Sequence, residues 1–157
     1  MGNQYWQTPP EIFNWLNNRY GPFTVDGAAS HENSLCLKYY SEEDSAFDKR
    51  PFGERIFCNP PYADLKPWVE LFAKWRDSGS FVLALLPCDP STKWWARMME
   101  DAVYTRIMGP SRVAFIDPET GQPVKGNKGA SVVSIWMPRN TGPSKIEMWN
   151  WTKDVFN

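Results

Sequence analysis

The segment from Ile56 to Tyr62, which reads IFCNPPY, constrains the fold more than any other stretch. Its apolar beginning predicts a short buried strand, and the two prolines end that strand because neither can donate a hydrogen bond to a neighbour. Proline also disfavours the helical region for the residue before it, so Asn59 is expected to be extended. Ligands bind at the carboxyl ends of strands in an open α/β sheet. The segment therefore predicts an α/β sheet with a site beside Asn59.

The polar groups after this strand suit a planar heterocycle that carries an exocyclic NH2 group. The Asn59 side-chain oxygen and the Pro60 carbonyl could accept the two amino hydrogens, and Tyr62 could stack on the ring. A strand that ends in a proline-capped turn, with no chemical role, is the alternative interpretation.

Length and composition predict one domain over residues 1–157, with a tail at 138–157 that packs on it. The chain has 157 residues, a net charge of -1 and a pI of about 5.8. No global positive field would attract nucleic acid, so a DNA contact would need a local patch. Nine Trp, six Tyr and nine Phe supply aromatic surface that suits both a core and base stacking.

The cysteine and histidine content argues against a metal site. Cys36, Cys58 and Cys88 are far apart, and His31 is the single histidine, so an ordinary zinc site is not expected. Reduced thiols fit a cytoplasmic protein. No signal peptide is recognised, and no apolar run approaches the ~20 residues that span a bilayer, so no membrane association is expected.

The N-terminal half predicts a helix and then a strand that ends in an acid. Thr8 is expected to cap the helix, with Glu11 closing a capping box. The strand ends at Asp26, and the small residues at 27–30 would let a ligand approach the backbone closely. Asp26 could bind an ammonium or hydroxyl group, although an Asp-Gly turn explains it equally well. The loop lacks the G-x-G spacing of nicotinamide and flavin folds.

Three adjacent acids follow at residues 42–44. They are explained either by a solvated loop or by a strand that ends at Asp44 beside the adenosine of a cofactor. The spacing between Asp26 and Asp44 is too short for a full helix and strand, so this side of the sheet should be trimmed.

The C-terminal half alternates helices and strands. Apolar spacing between Leu65 and Trp75 predicts a helix, and the fully apolar run at 81–86 predicts a central parallel strand covered on both faces. Further strands are expected at 103–108 and 131–136, separated by a strong turn signal at 117–121.

Four motifs follow one another along the chain: WxTP at 6–9, FTVDGAA at 23–29, YxxEED at 39–44 and NPPY at 59–62. In this order and spacing the sequence resembles the phage-type DNA N6-adenine methyltransferases, up to about residue 136. The resemblance implies a trimmed Rossmann-like α/β fold of the S-adenosylmethionine-dependent methyltransferases, with a mostly parallel central sheet and an antiparallel C-terminal hairpin. It implies S-adenosyl-L-methionine as the cofactor and double-stranded DNA with a flipped adenine as the partner, in the cytoplasm of a bacterial host.

The resemblance also assigns roles to residues. The catalytic residues would be Asn59, Pro60, Pro61 and Tyr62. The cofactor would be bound by Trp6, Thr8, Pro9, Asp26, Ala28, Asp44 and Asn59, and DNA by Lys93, Arg112, Lys125 and Lys128. A solvated loop is the alternative for each of the basic residues, and no metal is required.

Other functions stay open on the residues alone. Cytosine N4 and a protein glutamine present the same NH2 geometry, and a non-catalytic nucleic-acid-binding module could retain this fold. A catalytic thiol at Cys88 is a further alternative, although no base is evident beside it.

Overall fold

The computed structural model describes residues 6–124, 127, 129–138 and 143–157. In chain order the elements are α1 (Pro10–Tyr20), β1 (Val25–Asp26), β2 (Lys38–Tyr39), a 3-10 turn (Ala46–Asp48), β3 (Arg55–Cys58), α2 (Lys66–Asp77), β4 (Phe81–Pro87), α3 (Lys93–Asp101), β5 (Tyr104–Met108), β6 (Ser131–Trp136), β7 (Lys145–Trp149) and α4 (Trp151–Val155).

The strands form one sheet in the order β2-β1-β3-β4-β6-β5-β7. Strands β1 to β4 are parallel to one another, β6 runs antiparallel to both of its neighbours, and β7 pairs in parallel with β5. The predicted mixed α/β sheet with an antiparallel C-terminal pair is therefore confirmed. The two-residue strands β1 and β2 show the predicted trimming of this side.

Helices cover both faces of the sheet, which explains why β4 is apolar at every position. Alternate β4 side chains enter different clusters: Val82, Ala84 and Leu86 pack with α2 and α3, whereas Leu83 and Leu85 pack with α1 and with the segment that holds Phe115. The molecule thus has three layers, with the sheet between two layers of helices. The loops at the strand ends lie outside these layers and can form a site.

The predicted start of α1 is wrong by one residue. The helix begins at Pro10 with Pro9 as its N-cap, and no side chain caps it. The Pro9 carbonyl instead accepts hydrogen bonds from the amides of Ile12 and Phe13, at 3.1 and 3.2 Å. Because the consecutive prolines occupy the N-cap and first helical positions, Thr8 lies outside the first turn and is buried.

The C-terminal tail contains a strand that the sequence pattern did not reveal. β7 is short and lies at the edge of the sheet, and Ile146 and Met148 on it are exposed. Trp149 and Trp151 are buried against the α1 side of the sheet. The tail therefore packs on the rest of the protein through its two tryptophan side chains.

Gly27, directly after β1, is closely packed, so a larger side chain there would have to displace its neighbours. A β-carbon there would lie 3.1 Å from Cys58 Cβ and Sγ and 3.2 Å from a Trp75 ring atom. We expect Gly27→Ala to lower the free energy of unfolding by about 1–3 kcal/mol through overpacking, measured by urea denaturation.

Gly129→Ala is the matched control, because a β-carbon at Gly129 meets no atom within 4 Å. We expect it to change the free energy of unfolding by less than about 0.5 kcal/mol. Equal unfolding midpoints for the two variants would contradict the close packing at Gly27.

Candidate active site

An open cavity of about 580 Å³ lies at the carboxyl ends of β1, β2 and β3. This size is typical of a small-molecule site, and the position is where ligands bind in open α/β sheets. The cavity is lined by Gly27, Ala28, Ala29, Ser30, Asn33, Tyr40, Ser41, Glu42, Glu43, Ser45, Ala46, Phe47, Asn59, Pro61, Trp68 and Pro118.

Small residues after β1 form one wall of the cavity. The Gly27 amide donates to the Phe57 carbonyl at 2.7 Å, and the Ala29 amide donates to the Tyr40 carbonyl at 2.9 Å. These bonds extend the sheet pairing beyond β1. The backbone is therefore fixed, and the absence of large side chains at 27–30 leaves the cavity open.

Asp26 ends β1 as predicted, but its side chain is only 4 % exposed and lies behind this wall. Its carboxylate accepts hydrogen bonds from the amides of Ala28, at 3.3 Å, and Leu35, at 3.1 Å. Burial raises the pKa of Asp26 from 3.8 to about 6, and the two backbone hydrogen bonds oppose that rise. Asp26 therefore shapes the loop and places negative charge next to the cavity.

The prediction that Asp44 ends a strand is wrong. β2 ends at Tyr39, and the acids lie in a turn closed by hydrogen bonds between Ser41 and Asp44. The side chain of Asp44 is 65 % exposed and pairs with Lys49 at 2.6 Å. Glu42 and Glu43 line the cavity, whereas Asp44 does not. The conformation of the turn therefore determines which of the three acidic residues line the cavity.

Aromatic rings form a second wall of the cavity. Phe47 and Trp68 meet nearly edge to face, with centroids 4.8 Å apart and planes at 62°. Pro61 and Pro118 add flat apolar surface to the same cavity. This wall suits a planar ring, and the acids beside it suit hydroxyl or ammonium groups. Phe47, Trp68 and Pro118 had no recognisable signal in the sequence, because distant segments bring them together.

Asn59 lies at the cavity directly after β3, as its two following prolines predict. Its side-chain nitrogen donates to the Trp6 carbonyl at 3.2 Å. Pro61 lines the cavity, while Pro60 is buried. An amide side chain is therefore held at the strand end, with a partner from the N-terminal segment.

Tyr62 is half-buried and anchored by its hydroxyl. The hydroxyl donates to the Leu85 carbonyl at 2.9 Å, and the ring meets Phe115 edge to face, at 6.2 Å and 89°. Burial raises the pKa of the Tyr62 phenol far above its usual range. The phenol is thus neutral and held in place by these contacts, although Tyr62 does not line the cavity.

The N-terminal residues of the WxTP motif lie beside Asn59 and do not line the cavity. The Trp6 ring packs on Phe115 with centroids 6.0 Å apart. Thr8 and Pro9 are buried. In this structure they hold the start of α1 next to the site.

Two of the four predicted basic residues, Lys93 and Arg112, follow strands that end at the same edge of the sheet as β3. Lys93 is exposed at the start of α3, after β4, and Arg112 is exposed after β5. Arg112 donates to the Asn127 carbonyl at 3.0 Å. Lys125 and Lys128 lie outside the described residues.

The thiol of Cys88 is less acidic than that of a typical nucleophilic cysteine. Burial and the neighbouring Asp89 raise the pKa of its thiol, which disfavours the reactive thiolate. Over the described ranges, no cluster of three or more His, Cys, Asp or Glu side chains could hold a metal ion. In the same part of the chain, every helix is too short or too polar to cross a bilayer.

Comparison with known proteins gives concordant matches. The family model for DNA N-6-adenine-methyltransferase (Dam) matches residues 2–153. The chain is 34 % identical over 146 residues to the DNA N-6-adenine-methyltransferase of Escherichia phage T1, covering 83 % of this chain and 61 % of that protein. It is 25 % identical over 136 residues to the enzyme of the same name from Haemophilus phage HP1, covering 85 % and 79 %. The chain thus spans about three fifths of the phage T1 relative's length.

The buried charge of Asp26 predicts a dependence of stability on pH. An acid whose pKa is raised by folding stabilises the fold fully below its unfolded pKa and loses that contribution as pH rises through the folded pKa. We expect the free energy of unfolding of the wild-type chain to fall, relative to Asp26→Asn, between about pH 4 and about pH 6. From a folded pKa of about 6, the fall should be at most about 3 kcal/mol.

Urea denaturation at several pH values measures this difference, since the uncharged Asn contributes only a constant offset. Asp44→Asn controls for the removal of an exposed carboxylate. A difference between wild type and Asp26→Asn that does not change with pH would show that Asp26 keeps its ordinary pKa in the fold.

Proposed function

The chain belongs to the DNA N-6-adenine-methyltransferase (Dam) family, and from this premise we propose that it transfers a methyl group from S-adenosyl-L-methionine to N6 of adenine in DNA. One observation carries the proposal: the loop that follows Asp26 and the amide of Asn59 line the same cavity. A methyl donor bound at the loop would therefore lie next to an aryl amine bound at the Asn59 amide.

The chemistry of the cavity fits the proposed cofactor. Asp26 supplies negative charge for the methionine ammonium, through the loop at 27–30, and Ala28 leaves room for the chain. Glu42 and Glu43 supply acceptors for ribose hydroxyls, and the wall of Phe47 and Trp68 suits the adenine ring. Bound there, S-adenosyl-L-methionine supplies an electrophilic methyl group on a sulfonium.

Asn59 and Pro60 orient the acceptor. The adenine amino group is a poor nucleophile because its lone pair is delocalised into the ring. Hydrogen bonds to the Asn59 side-chain oxygen and the Pro60 carbonyl would favour a pyramidal nitrogen with its lone pair directed at the methyl group. Orientation and electrostatics then supply the rate enhancement, without a covalent enzyme intermediate. Asparagine is not a base, so the displaced amino proton leaves to water.

Tyr62 would stack on the target adenine once this base has been turned out of double-stranded DNA. Its anchored hydroxyl leaves the ring little freedom, and base–aromatic stacking is worth about 1–3 kcal/mol, comparable to the cost of unstacking a base. Pro61 keeps the chain extended between these residues.

The remaining residues have supporting roles in the proposal. Trp6, Thr8 and Pro9 hold the N-terminal side of the site, and Lys93, Arg112, Lys125 and Lys128 contact DNA phosphates. The whole chain, 1–157, acts as one methyltransferase domain in the cytoplasm of a bacterial host cell, which the phage relatives support.

The three adjacent acids offer a matched test of cofactor binding. We expect Glu42→Gln or Glu43→Gln to raise the dissociation constant of S-adenosyl-L-methionine about tenfold or more, since each removes a charged acceptor from the cavity. Asp44→Asn should change it less than about twofold, because its side chain is exposed and paired with Lys49. Titration calorimetry measures all three. If Asp44→Asn instead raised the dissociation constant more than the two Glu variants do, Asp44 would be the residue that contacts the cofactor.

The reaction itself is tested with methyl-labelled cofactor and adenine-containing duplex DNA, followed by digestion to nucleosides. We expect label in N6-methyl-2′-deoxyadenosine, and Asn59→Ala should reduce turnover by about 10²–10³-fold, in the range found for removal of a preorganised hydrogen-bonding group. Cofactor binding should largely survive in this variant. Asn150→Ala, at an exposed position before α4, is the control and should match wild type.

The other outcomes are informative. Label found only in N4-methylated cytosine would show that cytosine, and not adenine, is the acceptor. Label found in protein would show that the substrate is protein and not DNA. Failure to bind the cofactor would leave a non-catalytic module on this fold.

A further inference from the structure

We infer that the backbone carbonyl of Trp6 is a positioning group that fixes the rotation of the Asn59 amide for methyl transfer. The inference rests on the proposed function, because it concerns the acceptor oxygen that the reaction requires. It adds to that proposal a role for the N-terminal segment that none of its side chains reveals.

The direction of the Asn59–Trp6 hydrogen bond follows from the chemistry of the two groups. A backbone carbonyl only accepts, so the amide nitrogen of Asn59 must face Trp6, at the observed 3.2 Å. Turning the amide by half a revolution would place its oxygen against the carbonyl oxygen, which is repulsive. The side-chain oxygen is therefore held on the side of the amide opposite Trp6, where it could accept a hydrogen bond from a substrate amine.

The carbonyl is itself held in place by a short backbone pairing. The Gln7 amide donates to the Ile116 carbonyl at 2.8 Å, and the Ile116 amide donates to the Gln7 carbonyl at 2.9 Å. The Trp6 ring packs on Phe115, which is 2 % exposed. Residue 6 is thus tied to the segment at 115–116 by both backbone and side chain.

The same segment contacts the other end of the catalytic motif. Phe115 meets the Trp6 ring on one side and the Tyr62 ring on another. One packed unit therefore supports both the amide that orients the target amine and the ring proposed to stack on the base. A shift of this unit would misplace both groups together, and a misplacement of about 1 Å can cost about a hundredfold in rate.

A purely structural role is the competing explanation. In that case the hydrogen bond would only anchor the N-terminal segment, and its loss would lower stability without a specific effect on turnover. The two explanations differ in the rate constant kcat at saturating cofactor and in the state of the Asn59 amide.

The test compares two substitutions at one position in the full chain. Gln7→Pro removes the amide that donates to Ile116, whereas Gln7→Ala keeps both backbone hydrogen bonds. We expect kcat for methyl transfer to fall about tenfold or more in Gln7→Pro, with the KM for S-adenosyl-L-methionine within about threefold of wild type. Gln7→Ala should keep kcat within about twofold.

The side-chain amide of Asn59 gives a direct signature by ¹⁵N-resolved NMR, with its signal assigned by its loss in Asn59→Ala. In the wild-type chain we expect one of the two amide protons to show the downfield shift and small temperature coefficient of a hydrogen bond. In Gln7→Pro this shift and the small temperature coefficient should be lost, leaving the two proton signals at the separation of a free asparagine side chain. This measurement on the wild type does not depend on whether the proline variant folds.

Each result decides between the explanations. Wild-type kcat in folded Gln7→Pro, or two non-bonded amide protons in the wild type, would overturn the positioning role while leaving the proposed function intact. Absence of adenine methylation by the wild type would instead remove the proposed function itself. A fall in kcat together with loss of the bonded amide signal supports the inference.

Discussion

The parallel pairing of β1 with β3 is the contact on which the site depends. It places Asp26 beside Phe57, and the Gly27 amide continues the pairing one residue further. Because parallel strands point the same way, both chains leave the sheet at one edge, where the prolines stop β3. The small-residue loop and the Asn59 amide therefore meet in one cavity. Close packing of Gly27 on Cys58 keeps the two strand ends at that distance.

The acidic residues of this region lie in three different electrostatic environments. Asp26 is buried, and its two backbone hydrogen bonds only partly offset the cost of desolvating a carboxylate. Glu42 and Glu43 border the cavity, and Asp44 turns outward to Lys49. A cationic ligand in the cavity would interact favourably with these negative charges, whereas an anion would be repelled.

Much of the fold could be predicted from the sequence because its signals are local. The all-apolar run of β4 indicates a strand covered on both faces, and the helical spacing before Asp77 predicts α2. The helix cap at Thr8 failed because the two prolines took the capping positions. β7 was missed because its alternating pattern is only five residues long, and its apolar residues Ile146 and Met148 are exposed at the edge of the sheet instead of entering a core.

By itself, the sequence determined where β3 ends, that Asn59 directly follows it, and which family the four motifs resemble. These properties reside in a few consecutive residues, chiefly in the missing amide hydrogen and fixed geometry of proline. Only the tertiary structure decided which acids face the cavity, that Phe47, Trp68 and Pro118 complete its wall, and that the Trp6 carbonyl meets Asn59. Those contacts join segments far apart in the chain, and their geometry is set by turn closure and packing, which no local pattern of residues specifies.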